Sequence, residues 1–138
     1  MDYALPYIAG LLDGEGCFRI DRFTSSRSAI GFQYRAIVEI TMCDESPIAF
    51  TAGATGKNYS SRIIPSGRTA YTIVWRNGIA AGLIRSILPY LIGKSEQAKL
   101  CLHFEDAIAP GRGRAYKPED FVVCEDIYHK VKMLKRLQ

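Results

Sequence analysis

The stretch Ile8-Ala9-Gly10-Leu11-Leu12-Asp13-Gly14-Glu15-Gly16-Cys17 constrains this chain more than any other. Leu5, Ile8, Ala9 and Leu12 recur at the spacing of one helix face. Tyr7, Gly10 and Gly14 fall on the opposite face. A glycine inside a helix costs roughly 0.5–1 kcal/mol relative to alanine, so two of them need a compensating gain. Small residues four apart let a second backbone approach closely. The pattern predicts a helix over 3–14 covered on both sides, by its own core and by a second helix. Glu15 follows at the helix C-terminus, where the macrodipole disfavours an anion by roughly 0.3–1 kcal/mol. A carboxylate in that position needs a cation to offset it.

A chain of 138 residues is long enough for one domain, spanning 1–138, with a real core. No apolar run approaches the length of a membrane span, and the N-terminus lacks a basic-then-apolar signal pattern. The expectation is an intracellular protein, of a prokaryotic cytoplasm or an organelle, that is not secreted. Cys17, Cys43, Cys101 and Cys124 are scattered singly, without zinc-ligand spacing, and are expected as small buried thiols. His103 and His129 each stand alone in a helical pattern and are expected to be structural.

The net charge of +4 matters through its location. Arg19, Arg22, Arg27, Arg35, Lys57, Arg62, Arg68 and Arg76 lie within 17–76, against only Asp21, Glu39, Asp44 and Glu45. The rest of the chain is balanced, so all the excess positive charge lies in one segment, which reads as strands. A basic, Arg-rich sheet suits a phosphate-bearing partner.

Strands are expected over 17–23 and 33–42, joined by the polar loop 24–31. In the second, Tyr34, Ala36, Val38 and Ile40 share one face; Gln33, Arg35, Ile37 and Glu39 share the other. Ser46 before Pro47 reads as a helix N-cap and first position, with the helix ending before Gly53 or Gly56. A second hairpin over 58–64 and 69–76 turns at Pro65-Ser66-Gly67-Arg68; its register stays open. Ala80, Leu83, Ile84, Ile87 and Leu88 form a helix stopped by Pro89, and Leu100, Cys101, Phe104, Ala107 and Ile108 another. After a basic loop at 110–114, Pro118 opens a last helix with Cys124, Ile127, Tyr128, Val131 and Leu134 as its stripe. The order is α-β-β-α-β-β-α-α-α.

Residues 8–16 resemble the LAGLIDADG motif of homing endonucleases. Ile87-Leu88-Pro89-Tyr90-Leu91 and Lys94-Ser95-Glu96-Gln97-Ala98 are similar to the family's second recurrent block. The resemblance implies an α+β fold with a four-stranded antiparallel sheet, concave toward DNA and backed by helices. One motif copy implies a homodimer, joined through Tyr7, Gly10, Leu11, Asp13 and Gly14. It also implies an intron-encoded enzyme using Mg²⁺, with Mn²⁺ or Ca²⁺ able to substitute in binding. Glu15 and the Gly14 carbonyl would be the metal ligands. Two Glu15 carboxylates at the dyad would need two or three Mg²⁺ ions to offset their repulsion. Asp13 would support the motif helices by bonding the partner helix's N-terminal N–H groups. Lys94 would stabilise charge at the scissile phosphate, and Gln97 would be structural. Glu39 and Met42 fall where the family places water-ordering polar groups, a role Met42 cannot fill.

The leading function is then cleavage of both strands of a long pseudo-palindromic DNA site across the minor groove, leaving 3′ overhangs. Arg19 and Arg35 are the expected base readers on a face shared with Asp21, Gln33, Ile37 and Glu39. Arg27, Arg62 and Arg68 are further DNA contacts. Two other readings stay open: an RNA maturase that assists intron splicing, with RNA as partner, and a non-catalytic DNA-binding regulator. No membrane partner is expected.

Overall fold

The computed structural model describes residues 3–26, 31–108 and 118–136. Arg27 and the basic loop 110–114 lie outside them.

Four strands form one antiparallel sheet in the order β1-β2-β4-β3. They are β1 (Gly16–Thr24), β2 (Phe32–Met42), β3 (Ser60–Ile63) and β4 (Thr69–Arg76). Partners across the ladder share a face, so the register sorts the side chains. Phe18 lies opposite Val38, and Val38 opposite Trp75; Ile40 lies opposite Ile73. All of these are buried, which fixes the apolar face and confirms the alternation expected for β2. β3 is shorter than expected, and each of its four residues is exposed, as befits an edge strand.

Among the described residues five α-helices accompany the sheet: α1 (Ala4–Glu15), α2 (Glu45–Thr55), α3 (Asn77–Ile87), α4 (Ser95–Ile108) and α5 (Pro118–Arg136). Their buried stripes join the apolar sheet face in one core, α1 through Ile8, Ala9 and Leu12. Burying a side chain such as Phe18 or Phe104 contributes roughly 1.5–3 kcal/mol. Pro89 does not simply stop α3; the chain continues as a 3-10 turn over Leu88–Tyr90. The cap of α2 is Asp44, not Ser46: its carboxylate accepts from the Ser46 N–H at 3.2 Å. Asp44 keeps extended backbone angles, as an N-cap must. No described helix is long and apolar enough to cross a membrane.

Two cysteines match the expected buried thiols. Burial pushes Cys101 and Cys124 up to about 12. Cys17 and Cys43 are only half-buried, and all four are free.

Glu125 ties α5 to the β1–β2 hairpin. Its Oε1 accepts from the Tyr34 hydroxyl and from Arg22 Nη1 (2.6 Å), and its Oε2 lies 3.0 Å from His129 Nε2. The Arg22 guanidinium also lies 4.8 Å from the Tyr128 ring centre. Burial alone would raise the Glu125 pKa, but the bonds from Tyr34 and Arg22 outweigh it and hold the carboxyl below its ordinary value. A lowered carboxylate pKa contributes stability that is present above the unfolded value and lost as pH falls through the folded one. Glu125→Ala should cost about 1–3 kcal/mol at pH 7, because Arg22 and the Tyr34 phenol both lose a charged acceptor. Denaturant titrations should show the deficit shrinking at pH 3. A deficit unchanged at pH 3 would assign the cost to packing.

Candidate functional site

The C-terminal end of α1 gathers the chemistry-bearing groups. The Gly16 N–H donates to the Leu12 carbonyl, which leaves the last carbonyls of the helix without intrahelical donors. Gly14 and Glu15 are exposed there. The chain returns to this point after the 3-10 turn. Asp13 Oδ2 accepts from the Ile92 N–H at 2.8 Å, and Oδ1 from the Lys94 N–H at 2.9 Å. The Lys94 ammonium then donates to the Gly16 carbonyl at 2.5 Å. Lys94 is thus held one residue from Glu15. Both oxygens of Asp13, the residue expected to support a partner helix, brace the 92–94 loop of its own chain. Gln97 is buried, in keeping with a structural role.

The donors at the helix end are oxygens, a carboxylate and backbone carbonyls, and these suit a hard cation such as Mg²⁺. Among the described residues no three His, Cys, Asp or Glu side chains cluster to hold a metal. His103 is exposed, and His129 serves Glu125.

The helix face opposite the core is open. Tyr7, Gly10 and Gly14 are exposed, while Leu11 is half-buried against the core edge. A Cβ placed on Gly10 or Gly14 meets nothing within 4 Å. Among the described residues nothing therefore crowds a side chain at either position. Beside them Tyr7 packs edge-on against Phe50 at 5.1 Å, and Tyr3 stacks on the same ring at 6.0 Å.

The sheet face away from the core begins at the α1 junction. Arg19, Asp21, Gln33, Arg35, Ile37 and Glu39 share it, as the alternation implied. The electrostatics differ from expectation. Arg19 Nε bonds Asp21 Oδ1 at 2.9 Å, and its Nη1 bonds Glu39 Oε1 at 2.9 Å. Burial lowers the Arg19 pKa, but the bonds to Glu39 and Asp21 more than reverse this and hold it above the ordinary guanidinium value. Arg35 is looser: its Nε lies 3.9 Å from Asp21 Oδ2, and its guanidinium 5.0 Å from the Phe23 ring centre. Ile37 is only 1% exposed. It forms the floor of this face and offers no surface for a contact. Arg62 lies on the same face, opposite Ala70. Arg68 is exposed in the turn, where its carbonyl accepts from the Ile64 N–H at 2.9 Å.

Thr41 and Thr72 of this face were not singled out from the sequence, and Arg76, noted there only for its charge, lies on it as well. Thr41 and Thr72 are cross-strand partners whose hydroxyls lie 2.9 Å apart. Met42 has the opposite parity and packs against the core. Extending the β2 alternation by one step past Ile40 would have picked Thr41 over Met42.

The fold is that of LAGLIDADG homing endonucleases. I-CvuI, solved with the I-CreI target DNA, matches 94% of this chain and 80% of its own, with a TM-score of 0.75 and 19% identity. The archaeal intron-encoded homing endonuclease I-Vdi141I, complexed with DNA, matches 96% of this chain and 84% of its own, with a TM-score of 0.81 and 14% identity. The LAGLIDADG homing endonuclease I-SmaMI, bound to cleaved DNA, matches 89% of this chain but 42% of its own, with a TM-score of 0.73 and 18% identity. No protein-family model and no curated protein matches the sequence.

Proposed function

We propose that this chain is a site-specific endonuclease that hydrolyses both strands of a long pseudo-palindromic DNA site. The observation that carries this reading is the juxtaposition of Glu15 and Lys94 at the exposed end of α1, where the basic sheet face begins. Glu15 and the Gly14 carbonyl would hold Mg²⁺, which supplies charge stabilisation to a phosphodiester and acidifies bound water. Lys94 keeps a fixed positive charge beside that point, suited to the charge that builds on a phosphate under attack. Asp13 fixes Lys94 through the backbone of its loop. Arg35, Arg62 and Arg68, together with Arg76, would meet the phosphates and bases of the duplex. Cleavage across the minor groove with 3′ overhangs follows from the resemblance of the motifs.

One copy offers one such carboxylate, and cutting two strands calls for two. The open glycine face supports a second copy as its cover, in a homodimer with α1 packed on α1. The match to under half of I-SmaMI is compatible with this, since that chain has room for a second unit of this size. The test is incubation with Mg²⁺ and a plasmid library of candidate sites, with sequencing of the ends. Discrete sites with staggered ends are expected. Intact plasmid with specific binding would mark a non-catalytic regulator, and spliced intron RNA without DNA cutting would mark a maturase.

Gly10→Leu tests the dimer. The side chain points into open space in one copy, so the variant should stay folded, with a melting temperature close to that of the wild type. Between two copies it overpacks a close contact, typically at a cost of 1–3 kcal/mol or more. Sedimentation should find a monomer, and cleavage should fall with it. A wild type that sediments as a monomer at micromolar concentration would remove the two-copy reading.

A further inference from the structure

The sheet face carries an arginine that is already spent. A guanidinium reads guanine through two parallel N–H groups on one planar edge. Arg19 has two such edges, one containing Nε and the other Nη1. Asp21 occupies Nε and Glu39 occupies Nη1, each at 2.9 Å. To read guanine, Arg19 must break at least one charge-assisted bond, either to Asp21 or to Glu39. Glu39 is differently placed. Arg19 uses Oε1 alone. Its ladder partners are Cys17 on β1 and Val74 on β4, neither of them a cation. The side chain keeps 24% of its exposure. The bond to Arg19 reduces the repulsion that a bare carboxylate would meet from the phosphates.

We infer that Glu39 reads the DNA sequence, accepting a hydrogen bond from a cytosine amino group in the major groove, while Arg19 is its positioning residue. This rests on the DNA-binding function proposed above and deepens it. A carboxylate can only accept, and cytosine N4 is the donor it matches on a base edge. Asp21 completes the clamp by holding the other edge of Arg19. Arg35, with no carboxylate nearer than 3.9 Å among the described residues, keeps the outer Nη1–Nη2 edge of its fork for guanine at a separate position, its Nε being buried.

The experiment is a binding screen of the full-length protein without Mg²⁺, on duplexes varied one base pair at a time, with thermal melts of each variant. Glu39→Gln keeps the shape and an acceptor for Arg19, and adds the donor that suits adenine. It should switch one symmetric pair of positions from cytosine to adenine, by about tenfold or more, and leave the others unchanged. Arg19→Ala should blur that same pair and no guanine position. Loss of a guanine preference in Arg19→Ala, at a position Glu39→Gln leaves alone, would overturn the inference. So would an unchanged profile in a folded Glu39→Gln variant. A wild type with no base preference anywhere would instead fail the DNA-binding function itself, and this inference with it.

Discussion

Glu15→Gln is expected to abolish cleavage while leaving specific DNA binding nearly intact. Glu15 is exposed at the end of α1, beside backbone carbonyls and one residue from the bond between Lys94 and Gly16. The amide keeps the shape of the carboxylate and removes its charge, and an Mg²⁺ site depends on that charge. Losing the metal's stabilisation of the reacting phosphate removes several kcal/mol of transition-state binding. About 4 kcal/mol corresponds to roughly 10³-fold in rate. The sheet face is untouched, so affinity without metal should stay within about twofold. In a dimer the change would also relieve repulsion between two facing carboxylates, so the melting temperature should hold or rise. Cutting at near wild-type rate would mean that the metal is held elsewhere.

Gly16→Ala should be the most damaging single methyl group in the described chain. A Cβ at Gly16 would lie 2.3 Å from Leu12 Cδ2, 2.7 Å from Leu12 Cα and 2.9 Å from the Leu12 carbonyl oxygen. The side-chain atom can swing away, but the backbone atoms are the last turn of α1. Gly16 cannot retreat either: its N–H bonds Leu12, its carbonyl takes Lys94, and it pairs with Ile40 in the sheet. The expected loss is about 3 kcal/mol or more, with cleavage impaired because Lys94 is displaced. Gly14→Ala is the contrast. Its Cβ enters open space and adds helix propensity, so a single copy should be as stable as wild type or gain up to about 1 kcal/mol. A loss of stability in Gly14→Ala would then have to come from a contact outside the single copy, such as the proposed dimer. Equal melting temperatures for Gly16→Ala and wild type would show that the helix end is far more pliant than its bonds imply.

The sequence revealed what depends on short-range periodicity. The buried side of α1, the two faces of β2 and the order of elements could all be read from spacings of two to four residues. What it concealed depends on partners far apart in the chain. Arg19 is a guanine reader by composition and a clamped group by register, because only the β1–β2 pairing brings Glu39 to it. Asp13 meets Ile92 and Lys94 across most of the chain, and no local pattern announces that contact. Ile37 alternates with polar neighbours, yet it is buried between the strands that carry Arg19 and Arg76. Asp44 and Ser46 are both good N-caps, and two residues of backbone geometry decided between them. Met42 was assigned one step out of phase with its own strand.

The two hydrogen bonds accepted by Asp13 have a consequence for isotope exchange. Ile92 is 87% exposed, and a loop amide in that setting would ordinarily exchange with solvent deuterium almost at the rate of a free peptide. The Ile92 and Lys94 amides both point at one carboxylate anchored on a core helix. They should exchange slowly, with a rate governed by opening of α1 or of the loop itself. The two amides are therefore reporters, inside an exposed loop, of whether Lys94 and Glu15 are held together at a given moment.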